Sequence, residues 1–410
     1  MDITPNFQII VGFIGLIALA IPFSSSIKSI NYIQTLKAVI FQILLAYMLI
    51  EIEIITNLFS YLSKIVLILQ ESTNAGTQFV FGYLSAGDGE ELIFAFKILP
   101  LIIVFSSLTA FFWYIGLLPF LIRIVSKLFE RVFNIGGPIG LGSTANIIMG
   151  QVEAPLLVRP YLQKMSKKEI LILMTSGMAT VAGSVMIAYV TMLQNQFPET
   201  NLIQHMITAS VLSIPAAIMY SNIMIPEDNV TEFDQQKIPK IYSSPMDAII
   251  RGTRDGTDIA INVAAVLISF IAIVYLVDSF LGNFSINNDK ASLQLILGYF
   301  FYPIVWLMGV PSSEVIHVAE LLGIKTALNE FVAYAALAEM DPELISDRSK
   351  LIAMYALCGF ANLSSVGILI SGISAMCPEI KDTLISVAFR SLIAATLASC
   401  MTGLVIGIFS

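Results

Sequence analysis

A long apolar run of this chain is interrupted at residues 150–155, which read Gly-Gln-Val-Glu-Ala-Pro. A carboxylate such as that of Glu153 costs roughly 2.5–3.5 kcal/mol at bilayer depth, so its presence there indicates a function. Pro155 is typical of the first turn of a new helix. We expect one half-helix to end at 146–149 and another to occupy 154–161. The sequence thus predicts a broken helix whose polar groups and free backbone ends form a binding site, as in many transporters.

The composition requires most side chains to face lipid or other apolar helices. Hydrophobic residues make up 57% of the 410 residues and charged residues only 12%, whereas soluble domains carry about 25% charge. With a mean hydropathy of +0.85, we predict an all-α polytopic membrane protein without a cofactor. The net charge of −8 argues against a nucleic-acid partner. Three cysteines have no paired or metal-like spacing and are expected to be small buried residues, namely Cys358, Cys377 and Cys400.

Eight apolar runs are long enough to cross a bilayer, which takes ~20 helical residues. A further stretch, 58–69, is amphipathic and is expected to lie along the membrane interface. Gly and Pro interrupt 133–165 and 294–340, which we predict to be re-entrant hairpins, because irregular backbone at membrane depth is tolerated only inside protein or beside water. The predicted spans are 8–24, 36–54, 93–122, 170–193, 205–225, 257–282, 350–373 and 384–409.

The two hairpins belong to an internal repeat. Gly-Gly-Pro at 136–138 precedes Gly150 by the same number of residues as Gly-Val-Pro at 309–311 precedes Gly323. An odd number of spans separates the hairpins, so they enter from opposite faces, which is the inverted repeat of many secondary transporters. The predicted division is 1–92 for N-terminal scaffold helices with the interfacial helix, 93–225 for the first repeat, 226–256 for a cytoplasmic connection and 257–410 for the second repeat.

The distribution of basic residues predicts the orientation. Lys and Arg are concentrated between the first two spans, around the first hairpin and in 226–256, and they are sparse in 195–204 and 283–293. The acidic stretch 88–91 falls on the same side as the two sparse loops. Because cytoplasmic loops are the basic ones, we expect an inner (plasma) membrane protein with both termini on the extracytoplasmic side. Two basic residues are exceptions to this rule, Arg348 and Lys350.

Polar residues within the apolar runs are the candidates for ligand binding. Asn, Ser and Thr in helices commonly bond neighbouring helices, but the carboxylates of Glu153 and Glu330 need a stronger reason. Lys325 is the nearest candidate partner for Glu330, or else a tip residue of its hairpin. The half-helix that ends in the first hairpin offers free carbonyls and a partial negative charge to a cation. Side-chain oxygens of Asn146 and Thr180 could complete an oxygen shell for sodium.

Several longer motifs resemble those of the concentrative nucleoside transporter family, in the right order and over nearly the whole chain. They are NIIMGQVEAPLLVRPYL at 146–162, RGTRDG at 251–256, NEFVAY at 329–334 and ALCGFANLSS at 356–365. The resemblance implies a homotrimer of eight-span protomers that moves nucleosides with a sodium or proton gradient. The residues it implies for the substrate are Gln151, Val152, Glu153 and Val185 at the nucleobase, Glu330, Asn362 and Ser365 at the ribose, and Phe360 beside the ligand. Those it implies for sodium are the side chains of Asn146 and Thr180 and the carbonyls of Met149 and Val181.

The chain departs from the family's common pattern at Val152, where Thr is frequent. A lost hydroxyl removes a hydrogen bond worth about 0.5–1.5 kcal/mol, so we expect an altered base preference rather than lost transport. Thr180 stands where Ser is common but keeps the oxygen, so sodium is the favoured coupling ion.

Other functions fit the sequence less well. An intramembrane enzyme would need an activated nucleophile or a metal cluster, and the two histidines, His205 and His317, are isolated. A passive channel would need a continuous polar lining. A proton-coupled nucleoside transporter stays open as an alternative, as does a transporter of nucleobases or a related polar metabolite. The predicted ribose-binding set argues against the nucleobase alternative.

Overall fold

The computed structural model describes residues 5–82, 84, 94–198, 200–227, 231, 241–286 and 289–410. This part of the chain is almost entirely helical, with one short antiparallel strand pair, β1 (Ser285–Ile286) and β2 (Asp289–Lys290). The acidic stretch 88–91 lies outside the described residues. Within the described ranges, four helices precede the repeats: α1 (Pro5–Ala18), α2 (Tyr32–Glu51), α3 (Glu53–Phe81) and α4 (Phe94–Lys97).

The remaining helices form two halves with the same order of elements. Each half has a long helix, a second helix, a hairpin of two short helices, a broken helix and a closing helix. The first half contains α5 (Leu99–Tyr114), α6 (Leu117–Phe133), α7 (Gly137–Ala145), α8 (Glu153–Leu156), α9 (Lys167–Ala179), α10 (Gly183–Leu193) and α11 (Leu202–Met224). The second contains α12 (Pro245–Leu281), α13 (Leu293–Leu307), α14 (Val315–Ala327), α15 (Glu330–Glu339), α16 (Asp347–Leu357), α17 (Leu363–Met376) and α18 (Lys381–Ile406). The predicted repeat and all-α architecture are confirmed.

Seven helices in the described ranges are long and apolar enough to cross a membrane, with the broken helix α9–α10 taken as one. They include α3, which is much longer than the interfacial stretch predicted at 58–69. The first predicted span corresponds to a shorter apolar segment, Phe7–Phe23. The seventh corresponds to α16 and α17, which are separated by the break at 358–362.

Two predicted boundaries are wrong for the same physical reason. The predicted span 93–122 ends early because Gly116 adopts φ = +86° and starts a separate helix, α6. Helix α6 is amphipathic, since it buries residues spaced three or four apart and carries its basic residues elsewhere. In the second half, Gly309 adopts φ = +87°, so α13 is a separate helix and the hairpin itself begins only after it.

The long helix α12 packs along α5 through a stripe of small residues. Its buried residues, four apart, are Ala248, Gly252, Gly256 and Ala260. A Cβ on Gly256 would lie 2.7 Å from Ile103 Cα, and one on Gly252 would lie 2.7 Å from Ala110 Cβ. Small residues at this spacing let two membrane helices approach closely. Because α12 begins at Pro245, the last part of the predicted connection 226–256 is helical.

The two broken helices meet at their breaks, in the centre of the bundle. Gly359 in the second break adopts φ = +144°, a conformation that side chains other than glycine rarely take. A Cβ on Gly359 would lie 2.9 Å from the carbonyl carbon and oxygen of Ala179, the last residue of α9. The crossing of the two halves therefore requires glycine at this position.

We predict that Gly359→Ala destabilises the protein, because the substitution adds both backbone strain and a clash with Ala179. The strain alone is worth about 1–3 kcal/mol. The measurement is the thermal stability of the purified protein in detergent. Gly76→Ala is the matched control, since a Cβ on Gly76 meets nothing within 4 Å, and a helical Gly→Ala change is stabilising by roughly 0.5–1 kcal/mol. Equal stability of both variants would contradict the crossing described here.

Candidate functional site at the crossing of two broken helices

The first hairpin breaks between α7 and α8, at residues 146–152. The second half-helix starts within one residue of the predicted position, because α8 begins at Glu153, but it ends earlier, at Leu156. The first half-helix also ends earlier than predicted, because α7 ends at Ala145 and residues 146–149 belong to the break. The Glu153 carboxylate accepts a hydrogen bond from the backbone N–H of Gly150, with 3.0 Å between Oε2 and N. This bond pairs a backbone N–H in the irregular segment between α7 and α8. Glu153 thus holds the loop in shape and keeps further acceptor capacity.

The hairpin break rests on the break between α9 and α10. The N–H of Gly183 donates to the carbonyl of Ile148 over 2.9 Å. Gln151 packs against Gly177 of α9, where a Cβ would lie 3.2 Å from Gln151 Cβ. The side chain of Gln151 is buried, and its Oε1 has no hydrogen-bond partner within the described part of the chain. A buried amide oxygen without a partner is costly, so it is available to a ligand.

The residues predicted to bind sodium lie in these same two breaks, that of the first hairpin and that between α9 and α10. Asn146 is fully buried, and its Nδ2 donates to the carbonyl of Gly142 over 3.1 Å. Its Oδ1 has no partner among the described residues. Thr180 is the C-cap of α9 and donates its hydroxyl to the Ser176 carbonyl over 2.9 Å, which leaves its oxygen free to accept. Buried oxygen atoms beside the negative end of a helix fit a hard cation. The remaining two members of the set, both buried, are Met149 and Val181.

The second hairpin presents Glu330 as the first residue of α15. Its carboxylate is buried and hydrogen-bonded on both oxygens. Tyr189 Oη donates to Oε1 over 3.0 Å, and Asn362 Nδ2 donates to Oε2 over 2.9 Å. Asn362 is the N-cap of α17, where its Oδ1 accepts from the N–H of Ser365 over 2.8 Å. The predicted residues Glu330, Asn362 and Ser365 therefore form one connected cluster.

Lys325 does not form an ion pair with Glu330, although its nearness in the sequence made it the candidate partner. Its Nζ donates to the carbonyl of Ala356 over 2.7 Å and to Ser399 Oγ over 3.2 Å. Within the described ranges, no salt bridge joins Lys325 to Glu330. Ala356 lies in the last turn of α16, so the buried ammonium group compensates a free carbonyl at a helix end. The partners of Glu330 are hydrogen-bond donors rather than a cation.

A cavity of about 120 Å³ lies between the first hairpin and the α5–α12 pair. Glu153 and Met149 line it, as does Ser184, the neighbour of the predicted base-contacting residue Val185. Burial, with the Glu153 and Asp255 carboxylates nearby, raises the pKa of Tyr242 at its wall to about 12, so that phenol stays protonated at neutral pH. The cavity's lining does not include the Glu330 cluster or Phe360 of the second break. Of the residues predicted to bind substrate or sodium, only Glu153 and Met149 therefore line this cavity.

Val152 does not face this cavity. Its methyl groups pack against Gly372 of α17, where a Cβ would lie 2.6 Å from Val152 Cγ1. The contact joins the first hairpin to the second broken helix. The absence of a side chain at Gly372 is what makes room for Val152.

Two hairpins and two broken helices in an inverted repeat, with polar groups gathered where they cross, define the chain as a secondary transporter. Family models agree with this class. The Na+-dependent nucleoside transporter N-terminus matches residues 11–84, and its C-terminus matches 205–407. A nucleoside recognition model matches 95–196. The chain belongs to the Na+-dependent, concentrative nucleoside transporter family, which is a family of transporters and not of enzymes.

Individual relatives support this assignment. Nucleoside permease NupC of Helicobacter pylori is 30% identical over 98% of this chain and 97% of its own length. Solute carrier family 28 member 3 of Homo sapiens is 35% identical over 97% of this chain, but the match spans only 59% of that protein. CNTnw, solved in an inward-facing substrate-bound state, superposes with a TM-score of 0.90 at 31% identity, over 99% of this chain and 98% of that one. A CNTnw variant in an outward-facing state gives 0.89 at 31% identity, over 98% and 97%.

Three residues at the site were not predicted from the sequence. Tyr189 lies in an apolar helix and looks like a core residue. Gly372 is one glycine of many, and only the packing of Val152 reveals its role. Asp255 belongs to the RGTRDG motif, but its position beside Glu153 depends on how α12 packs against α5.

We predict that Gly372→Ala destabilises the protein by about 1–3 kcal/mol, because the added methyl overpacks the contact with Val152. The double substitution Val152→Ala with Gly372→Ala should restore most of this stability, since it removes the clashing methyl groups. Thermal stability of the purified variants is the measurement. Gly367→Ala, in the same helix with nothing within 4 Å, is the control. A double variant that is no more stable than Gly372→Ala would refute the contact.

Proposed function

We propose that this protein is a symporter that imports nucleosides with the energy of a cation gradient, sodium being the favoured cation. The observation that carries the proposal is the buried carboxylate of Glu330. Tyr189 and Asn362 each donate one hydrogen bond to it, and an ionised carboxylate has about four acceptor sites. The remaining acceptors suit a hydroxyl group of a ribose. Ser365 and Phe360 are assigned to the same end of the ligand.

The nucleobase is assigned to the first hairpin. The partnerless Oε1 of Gln151 is an acceptor for a base N–H group, and the Glu153 carboxylate, which uses one acceptor on Gly150, is a second. Val185, buried at the start of α10, would contact the face of the base. Two carboxylates from opposite hairpins would thus bind the two ends of one molecule.

Sodium is assigned to the oxygen atoms beside the first break. The partnerless Asn146 Oδ1 and the hydroxyl of Thr180 would supply side-chain oxygens, and the carbonyls of Met149 and Val181 would complete the shell. The ion would lie at the C-terminal end of α9, where the helix dipole favours a positive charge. A bound ion would also order the hairpin that carries Gln151 and Glu153, which would link the affinity for nucleoside to the concentration of sodium.

Transport would proceed by alternating access, in which the hairpin-bearing bundle moves against a scaffold. The relative CNTnw has been solved in inward-facing, outward-facing and intermediate states. We assign the scaffold to α5 and α12 with α3, because α12 contacts the chain mainly through its stripe of small residues on α5. Helices α1 and α2 pack on the bundle instead, whereas α3 contacts both α5 and the bundle helix α11. Of the N-terminal residues 1–92 we therefore assign only α3 to the scaffold. The cavity beside Glu153 would be the release route.

The remaining assignments concern the membrane and the assembly. Exposed apolar side chains cover the rest of α12, among them Ile268 and Tyr275, and such a surface suits lipid or a second subunit. We assign the protein to the inner (plasma) membrane, with both termini on the extracytoplasmic side, and propose a homotrimer. Arg348, an exception to the charge rule, donates to the carbonyls of Gly309 and Gly407. Its position is therefore explained by helix-end contacts rather than by orientation.

We expect a sodium gradient to drive uptake of uridine or adenosine into proteoliposomes, and Glu330→Gln to abolish it. Uptake driven by a proton gradient alone would keep the substrate class and move the coupling to a carboxylate. No uptake of either nucleoside under either gradient would overturn the assignment of nucleosides. Uptake of free nucleobases alone would favour the nucleobase alternative.

Asn146→Ala tests the assignment of the sodium site. It should raise the sodium concentration for half-maximal uptake at least about tenfold, the equivalent of ~1.4 kcal/mol. An unchanged sodium requirement would remove Asn146 from the sodium site.

We expect Val152→Thr to change the ratio of purine to pyrimidine nucleoside uptake severalfold, by introducing a hydroxyl worth about 0.5–1.5 kcal/mol when it is hydrogen-bonded. The measurement is the relative uptake of adenosine and uridine. Val152→Ala, which adds no hydroxyl, is the control. An unchanged ratio in Val152→Thr would show that the position does not set base preference, in keeping with its contact with Gly372.

A further inference from the structure

We propose that Tyr189 is a positioning residue that holds the Glu330 carboxylate in the orientation needed to accept a ribose hydroxyl. This inference rests on the proposed function. Tyr189 belongs to α10 in the first repeat, whereas Glu330 and Asn362 belong to the second. The ribose-binding end of the site would thus be fixed by a hydrogen bond from the other half of the protein.

The hydrogen bond is well defined. Tyr189 Oη lies 3.0 Å from Glu330 Oε1, both side chains are buried, and the residues are 141 positions apart in the chain. Asn362 donates to the other oxygen, Oε2. Donors on both oxygens prevent the carboxylate from rotating freely, and hydrogen bonds to an ionised group are among the strongest in proteins.

The ring of Tyr189 is itself held in place. It stacks on Tyr334 with 4.4 Å between centroids and an angle of 29°, and it meets the edge of Phe331 at 4.7 Å. Both neighbours belong to α15, the helix that Glu330 begins. Because the ring is fixed by these contacts, removal of the hydroxyl alone should leave the packing intact.

Tyr334 offers a matched control on the same aromatic pair. Its hydroxyl is also buried, but it donates to the carbonyl of Met354 over 2.8 Å rather than to the carboxylate. Tyr334→Phe therefore removes one buried phenolic hydroxyl from the same stack without touching Glu330. Tyr189→Phe and Tyr334→Phe are chemically the same change at two positions that differ in their partner.

The experiment is calorimetric binding of uridine, 2′-deoxyuridine and 3′-deoxyuridine to the purified full-length protein in saturating sodium. Glu330 accepts a hydrogen bond from either the 2′- or the 3′-hydroxyl group. The analogue that lacks this hydroxyl is the one whose affinity does not change in Glu330→Gln. Tyr189→Phe should weaken uridine binding about 5- to 20-fold, less than the loss of a whole hydrogen bond to a charged group, because Asn362 still donates to the carboxylate. It should leave the affinity for that same analogue unchanged. Tyr334→Phe should keep the discrimination between uridine and this analogue.

A double-mutant cycle tests whether Tyr189 acts through Glu330. Adding Tyr189→Phe to Glu330→Gln should weaken uridine binding less than twofold further. Independent, multiplicative effects would overturn the proposal. So would equal weakening of all three ligands by Tyr189→Phe, which would indicate a general structural role, or no weakening at all. If the unaltered protein bound no nucleoside, both the proposed function and this inference would be wrong. If it bound nucleosides with an affinity that Tyr189→Phe does not change, only this inference would be wrong.

Discussion

Polar backbone groups inside a bilayer must find partners within the protein, and this requirement governs the structure at both breaks. Each broken helix exposes carbonyls at one end and N–H groups at the next, and each such end meets a polar group. In the first broken helix, the N–H of Gly183 at the start of α10 donates to the carbonyl of Ile148 in the first hairpin. In the second, Asn362 caps α17, and Lys325 donates to the Ala356 carbonyl. These local solutions hold the irregular backbone where a ligand could reach it.

Close approach is the second requirement, since lipid supplies no hydrophobic driving force between helices. Glycines therefore lie at the main crossings. Gly359 sits on the carbonyl of Ala179, Gly372 receives Val152, and the stripe that contains Gly256 lies on α5. Each of these contacts joins elements from different parts of the chain, so each glycine has a partner that no local pattern could show. The breaks of the two broken helices can face one another only because Gly359 carries no side chain.

The sequence predicted the repeat and the first break, because a carboxylate and a proline in an apolar run are strong local signals. It placed the spans less well where a single glycine turned the chain, since a left-handed turn at Gly116 leaves apolar residues on both sides. It also suggested the wrong partner for Lys325. Lys325 is close to Glu330 along the hairpin, which suggested an ion pair. In the folded chain, Lys325 instead donates to a free carbonyl at the end of α16. Tyr189 was missed because a buried tyrosine has no periodic or charge signal.

The two halves of the site differ in what they leave unsatisfied, and this difference bears on their roles. Around the break in the first hairpin, the side-chain oxygens of Asn146 and Gln151 have no partner among the described residues. They can therefore coordinate an ion or accept a hydrogen bond from a ligand. The Glu330 carboxylate in the second half is bonded on both oxygens. A group held in this way does not reorganise when a hydroxyl arrives, and a pre-organised acceptor loses less free energy on binding. Under the proposed function, the inverted repeat would thus supply two similar frames, one that captures a cation and one that holds a sugar.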